Sequence, residues 1–342
     1  MQMLEAPIDA ARRVGRRGLL AAGVVTLALL AAVATPQLLG ARIGEAFEKL
    51  GGADPAWLWL AAVGFLCSLT GAAGSWQAAV RLCGGRIGAL DANARYAAGS
   101  LVNTFVPGRV GDALRIALYS RSLEGEARVW KTGGAFAAIG IARAIALAGL
   151  ILGGAIAGAL PLWPLAVLSG FVAIGAVVAW RSRDARARRR VAHIFDAFRE
   201  LGRNPRAGVA IVGWIVLATL GRLGAAAAVA ASLGVHAPLA AAVIIVPALD
   251  VATLVPVTPG NVGVTSGAVA IALQAHGIGH TDALSVGIAF HAVETAVSLL
   301  YGIGTPLAAG TGTHRRLAVA AASTACFALA VAFGATVIAP AI

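Results

Sequence analysis

Arg109, Asp112 and Arg115 follow one another at intervals of three residues, just after a Pro-Gly step and inside an otherwise apolar stretch. On a helix, Asp112 and Arg115 share a face. Asp112 then stands in the first turn, near the positive end of the helix dipole. Two uses fit the trio. It can be an ion pair that holds a turn closed, or Asp112 can hold Arg109 or Arg115 ready for a phosphate, whose oxygens match the guanidinium fork. Much later, His291 and Glu294 also stand three apart. Glu294 is a candidate proton carrier or counter-ion, or else a partner for Arg143 or Arg222, and His291 alone reads equally as a hydrogen-bonded interior residue. Asp250 is a second carboxylate candidate for coupling. Asn103, Thr104 and Asn261 offer neutral polar contacts, with helix capping as their other use.

The surroundings give these charges their weight. The chain has 342 residues, of which 59% are hydrophobic and 12% charged. A soluble domain carries about 25% charged residues, and the mean hydropathy here is +0.85. Several apolar runs exceed the roughly 18 residues that cross a bilayer. A charge at the centre of a membrane helix costs about 2.5–3.5 kcal/mol on insertion scales. Arg109, Asp112, Arg115, Arg143, Arg222, Asp250 and Glu294 are therefore expected inside a helix bundle, and Asp282 at its outer surface.

Seven full spans are expected, at about 18–39, 56–80, 132–155, 162–180, 207–233, 283–308 and 317–340. The first is read as a retained helix rather than a signal peptide, since its apolar part is long for one and more spans follow. Two further apolar regions, 92–120 and 239–277, are broken. The first holds Pro107, Gly108 and Gly111; the second holds Pro247, Pro256, Pro259, Gly260 and Gly263. Proline removes a donor and clashes with the preceding turn, so helices there stop and restart. Both regions read as re-entrant helical hairpins or as pairs of helices packed inside the bundle. The architecture expected is an all-α polytopic membrane protein forming one membrane domain, 1–342.

Orientation follows from the positive-inside rule. With Arg12, Arg13, Arg16 and Arg17 in the cytoplasm, the loops holding Arg81, Arg86 and Arg95, then Arg121, Arg128 and Lys131, then Arg181 to Arg206, then Arg315 and Arg316, all become cytoplasmic. The outer segments keep Arg42 and Lys49 beside Glu45, Glu48 and Asp54. Loop 181–206 is basic, with an amphipathic stretch around Ile194, Phe195, Phe198 and Leu201 that suits a membrane surface. The net charge of +12 thus reads as attraction to anionic lipid headgroups and not to nucleic acid. Cys67, Cys83 and Cys326 are scattered and indicate neither a disulfide framework nor a metal site; no cofactor is expected.

Pro107-Gly-Arg-Val-Gly111 and Pro259-Gly-Asn-Val-Gly263 agree at four of five positions. Each falls at the tip of a broken region between two long spans, and the charges put the first region's base in the cytoplasm and the second's outside. Units 56–155 and 207–308 are then inverted repeats. Such repeats bring half-helix N-termini together at mid-membrane, where free N–H groups favour an anion.

The run Asn103-Thr-Phe-Val-Pro-Gly-Arg-Val-Gly-Asp-Ala-Leu-Arg115 with Tyr119-Ser-Arg121, and the later Val255-Pro-Val-Thr-Pro-Gly-Asn-Val-Gly-Val264 with Gly277, resemble the two signatures of the lysylphosphatidylglycerol synthase transmembrane-region family. Asn204-Pro205 and Ser232-Leu-Gly234 also fit. The resemblance implies a flippase-like domain that moves aminoacylated or other phospho-headgroup lipids between leaflets, without the soluble aminoacyl-transferase domain of fused members. It puts Pro107, Gly108, Gly111, Asp112 and Arg115 at the first motif and Pro259, Gly260 and Gly263 at the second. The chain departs from the family pattern at Ser266, where an acid is usual, at Ile141-Ala-Arg143, where a Glu-Arg pair is common, and at His291, where an arginine is common.

The function expected is therefore lipid transport, with no catalytic residue, in a bacterial cytoplasmic membrane with the N-terminus inside. Substrate contacts are expected from Asn103, Pro107, Gly108, Arg109, Gly111, Asp112, Arg115, Arg143, Arg222, Pro259, Gly260, Asn261 and Gly263, and coupling from Asp250, His291 or Glu294. The partners expected are membrane lipids. The small-residue faces at Gly133-Gly134 and Gly153-Gly154 would also suit a homo-oligomer or a lipid-synthesising partner enzyme. The competing readings are an intramembrane headgroup or polyprenyl-phosphate transferase, and a non-catalytic membrane subunit of a lipid-modifying complex.

Overall fold

The computed structural model describes residues 48–105, 110–125, 128–156, 204–252 and 263–309, with isolated positions between 158 and 177. The elements among them are α-helices: α1 (Pro55–Leu82), α2 (Ala89–Phe105), α3 (Val110–Ser120), α4 (Arg128–Ile156), α5 (Pro205–Ser232), α6 (Pro238–Ala252), α7 (Val264–Gln274) and α8 (His280–Ala309). Helices α1, α4, α5 and α8 are long and apolar enough to cross a membrane. They occupy the second, third, fifth and sixth expected spans. The first, fourth and seventh expected spans, and loop 181–206 up to residue 203, lie outside the described residues.

Each of the two broken regions contributes two separate described helices. The first gives α2 and α3, of 17 and 11 residues, and the second gives α6 and α7, of 15 and 11. At 1.5 Å per residue the longest of these reaches about 25 Å, short of a bilayer's hydrocarbon thickness. Pro247, expected with the other prolines to interrupt its helix, instead lies inside α6, three residues before Asp250.

Helices α1 and α5 are built alike. Each has 28 residues, an Asx-Pro start and a left-handed glycine just beyond its end. Asp54 accepts from the Ala56 N–H at 2.8 Å and Asn204 from the Ala207 N–H at 3.4 Å, with Pro55 and Pro205 in the first turn, where a missing donor costs nothing. At the far ends Gly84 (φ +87°) and Gly234 (φ +70°) take the turn that a side chain would resist.

These two helices run antiparallel, in backbone contact. Asp54 lies beside Ser232, whose carbonyl accepts its N–H at 3.0 Å. A Cβ on Gly71 would stand 2.7 Å from the Ala218 nitrogen and 2.9 Å from the Trp214 oxygen, and one on Gly221 would stand 2.8 Å from the Ser68 nitrogen and 2.7 Å from the Gly64 oxygen. The two contacts correspond atom for atom, so a local two-fold axis passes between the helices. Other helix contacts also come in counterparts, of unequal extent. Pairs α1·α2, α2·α3, α3·α4, α1·α4, α2·α8 and α1·α8 have as counterparts α5·α6, α6·α7, α7·α8, α5·α8, α6·α4 and α5·α4.

The described bundle has two ends. At one, Lys49 pairs with Asp282, and His280 lies 2.8 Å from the Gln274 side chain, so the feet of α6 and α7 meet the starts of α1 and α8. At the other, Tyr119 donates to the Ala92 carbonyl at 2.6 Å, Arg95 donates to the Leu118 carbonyl at 2.9 Å, and Gly85 packs on Leu123. The pair α2–α3 thus rises from one end and α6–α7 from the other. Phe65 on Phe290 (4.9 Å between ring centres) and Trp76 on Tyr119 (4.8 Å) anchor the two apolar cores around them.

Candidate functional site

The upper turns of α2–α3 hold the first charged cluster. Asn103 closes the gap between the legs: its Oδ1 accepts the Gly111 N–H at 2.7 Å, and its Nδ2 donates to Asp112 Oδ1 at 3.3 Å. This satisfies one of the free N–H groups that begin α3. The legs touch at two glycines, since a Cβ on Gly111 would fall 2.0 Å from the Gly99 oxygen. That closeness lets Arg115 reach across. It donates from Nη1 to Asp112 Oδ1 (2.5 Å), from Nη2 to Ser100 Oγ (2.6 Å) and from Nε to the Tyr96 carbonyl (3.3 Å), while its guanidinium carbon lies 4.0 Å over the Tyr96 ring. The side chains of Arg115 and Asp112 are 11% and 18% exposed, so the spacing expected to bring them together does so in a largely desolvated place.

The second cluster joins three helices. Arg222 of α5 donates from Nη1 to Asp250 Oδ1, in the last turn of α6, at 2.6 Å. Its Nη2 stands 3.7 Å from Glu294 Oε1 of α8. Its Nε is buried with no hydrogen-bond partner among the described residues. Of the two partners open to Glu294 in the sequence, the structure supplies Arg222. Arg143 is exposed on α4 and joins neither cluster. His291, one turn before Glu294, places Nδ1 3.2 Å from Thr265 Oγ1 in the first turn of α7. Gly263 begins that helix at φ +82°, a conformation in which glycine is unstrained. Pro107, Gly108, Arg109, Pro259, Gly260 and Asn261 lie outside the described residues, so the approach expected of the two motif tips does too.

Sequence reasoning missed Tyr96 and Ser100, which hold Arg115 from the opposite leg, and Tyr301; it named Tyr119 as part of the first signature without giving it a role at the site. A signal existed. The chain has three tyrosines, and all three gather here, each less than a tenth exposed. Tyr96 carries Arg115 on its ring. Tyr301 donates to Asn93 Oδ1 at 2.5 Å and ties α8 to the base of α2.

Chemically, this is an apolar interior with two arginines held at their outer edges by carboxylates, next to helix starts. Arg115 has all three side-chain nitrogens engaged, whereas the Nε edge of Arg222 can take an anionic oxygen. No curated protein and no solved structure matches the chain. The family model described as "Lysylphosphatidylglycerol synthase TM region" matches residues 19–302, and the chain belongs to that lipid-related membrane family.

Proposed function

We propose that this protein moves a phosphate-bearing lipid headgroup between the leaflets of a bacterial cytoplasmic membrane. The observation that carries this reading is the pair of short helical hairpins rising from opposite ends of the bundle, the first bringing Arg115 with its partner Asp112, the second bringing Asp250 to Arg222 of α5. A headgroup crossing a bilayer needs polar partners at depth and access from both faces. Two hairpins with opposite bases supply both.

The two-fold relation of α1 to α5 supports reading 56–155 and 207–308 as inverted repeats. Its axis lies across two antiparallel helices, and if those helices span the membrane, the axis lies in the membrane plane. The hairpins are then re-entrant. In this reading the walls of the path are Asn103, Gly111, Asp112, Arg115, Arg222 and Gly263, with the motif tips Pro107 to Arg109 and Pro259 to Asn261 completing them. Arg143 is assigned to a different face.

The test is reconstitution of the purified protein in liposomes with fluorescent phospholipids of several headgroups, followed by measurement of leaflet exchange. Exchange above protein-free liposomes is expected, and it is expected to fall at least about tenfold in Arg115→Ala, the equivalent of roughly 1.4 kcal/mol. No exchange with any headgroup rejects lipid transport. Full exchange in Arg115→Ala rejects the headgroup assignment while leaving transport in place.

A further inference from the structure

The Arg222 cluster is unbalanced in a way the Arg115 cluster is not. Two carboxylates, Asp250 and Glu294, face one guanidinium. Asp250 has the hydrogen bond. Glu294, at 3.7 Å, lies beyond hydrogen-bond reach, and no other described residue bonds its carboxylate. A phosphate brought to the same guanidinium would face both carboxylates, and that repulsion is relieved when one of them takes up a proton.

The geometry of Arg222 gives that proton a consequence. The end of the fork, at Nη1, belongs to Asp250. The side edge, Nε with Nη2, is the other bidentate face of a guanidinium. Its Nε has no partner among the described residues, and its Nη2 faces Glu294 alone. This edge is thus shaped for two oxygens and is guarded by one distant carboxylate.

We infer that Glu294 exchanges a proton during transport, and that protonation of its carboxylate opens the Nε–Nη2 edge of Arg222 to a phosphate oxygen pair. This rests on the transport reading above and adds a driving ion to it. The step balances simply: a proton from the aqueous phase converts the Glu294 carboxylate to the acid, and the anionic headgroup takes its place beside Arg222. Loss of the proton on the other face restores the carboxylate, which displaces the headgroup.

The groups facing Glu294 allow this. Helix α5 presents Arg222, and behind it α6 presents Asp250. Helix α2, packed on α8, carries Tyr96, whose ring lies under Arg115. Helix α7 has no titratable residue and presents Thr265, which meets His291. Helix α1 carries Cys67 and, in its last turn, Arg81, which is engaged by the Ile87 carbonyl. On α8 itself, His291 lies one turn before Glu294 and Tyr301 two turns after it.

Two measurements on the full-length protein test the inference. The first is infrared pH titration of protein labelled with 13C-glutamate in lipid. Glu294 is the one glutamate within the four long helices, so a shifted carboxylic-acid carbonyl band is expected, and it is expected to vanish in Glu294→Gln. The second is lipid redistribution in proteoliposomes under an imposed pH gradient. With one proton per lipid, a gradient of one unit drives the leaflet ratio by roughly tenfold, and Glu294→Gln loses that response. Redistribution in the wild type that ignores the gradient overturns the proton role and leaves lipid transport standing. If the wild type moves no lipid at all, transport fails, and the infrared band alone decides: its presence keeps the Glu294–Arg222 switch and its absence overturns it. If Glu294→Gln does not fold, Glu294→Asp, whose carboxyl is outside the 13C-glutamate label, assigns the band in its place.

Discussion

Arg115 is the side chain on which the first hairpin closes. It spends every nitrogen on its own chain: on the carboxylate of its neighbour Asp112, and on the hydroxyl of Ser100 and the carbonyl of Tyr96 across the gap. Removing the arginine leaves Asp112 with one long bond from Asn103. Breaking a buried pair from one side costs about 3–5 kcal/mol, whereas removing both partners costs much less. Arg115→Ala is therefore expected to lower the melting temperature in detergent more than Arg115→Ala with Asp112→Ala does. A double-mutant cycle with Asp112→Ala is expected to give a coupling of about 1–3 kcal/mol. Additive losses would show that the two charges act separately. Gly111 makes a second, steric case. A methyl group there meets the Gly99 carbonyl and the Asn103 side chain within 2.5 Å. Gly111→Ala is expected to cost about 1–3 kcal/mol by overpacking and to abolish leaflet exchange, as read by thermal unfolding and by the liposome assay.

At the level of helices, the α1–α5 crossing predicts equal effects at positions that look unrelated. A Cβ on either Gly71 or Gly221 would stand 2.7 to 2.9 Å from backbone atoms at corresponding positions of the other helix. Close backbone approach at small residues is what holds membrane helices together where lipid removes the hydrophobic drive. Gly71→Ala and Gly221→Ala should destabilise the protein alike, by about 1–3 kcal/mol each. Gly224→Ala, with open space around its Cβ position, should change the melting temperature little. Unequal losses at Gly71 and Gly221 would argue against the two-fold relation. None of this was readable beforehand. In a chain with 43 glycines a single matching glycine has no weight until the register of two helices is known. The long helices themselves were readable, because hydropathy sets where α1, α4, α5 and α8 run. The site divides in the same way. The Asp112–Arg115 pair follows from spacing along one helix. Tyr96 and Ser100 reach Arg115 from 19 and 15 residues away, and only the folding of one leg on the other brings them there. Glu294 had two candidate arginines in the sequence, and the packing of α5 against α8 selected Arg222.

For the whole molecule, the arrangement of ends can be tested without any transport assay. Residues 232–237 and 274–282 gather with 49–54 at one end of the bundle, and residues 83–88 gather with 118–123 at the other. If α1 and α5 span the membrane, these ends lie on opposite faces, and the distribution of Arg and Lys assigns the second to the cytoplasm. His236, His276, Gly88 and Glu124 are exposed positions at the two ends. Each can be changed to cysteine in a background where Cys67, Cys83 and Cys326 are alanine. In intact spheroplasts, a membrane-impermeant thiol reagent is expected to label His236→Cys and His276→Cys at once. It is expected to reach Gly88→Cys and Glu124→Cys only after permeabilisation. The reverse pattern would keep the opposed hairpins and invert the charge-based orientation. Labelling of all four from one side would place both hairpin bases on the same face, and a path with one arginine cluster offered to each leaflet could not then exist.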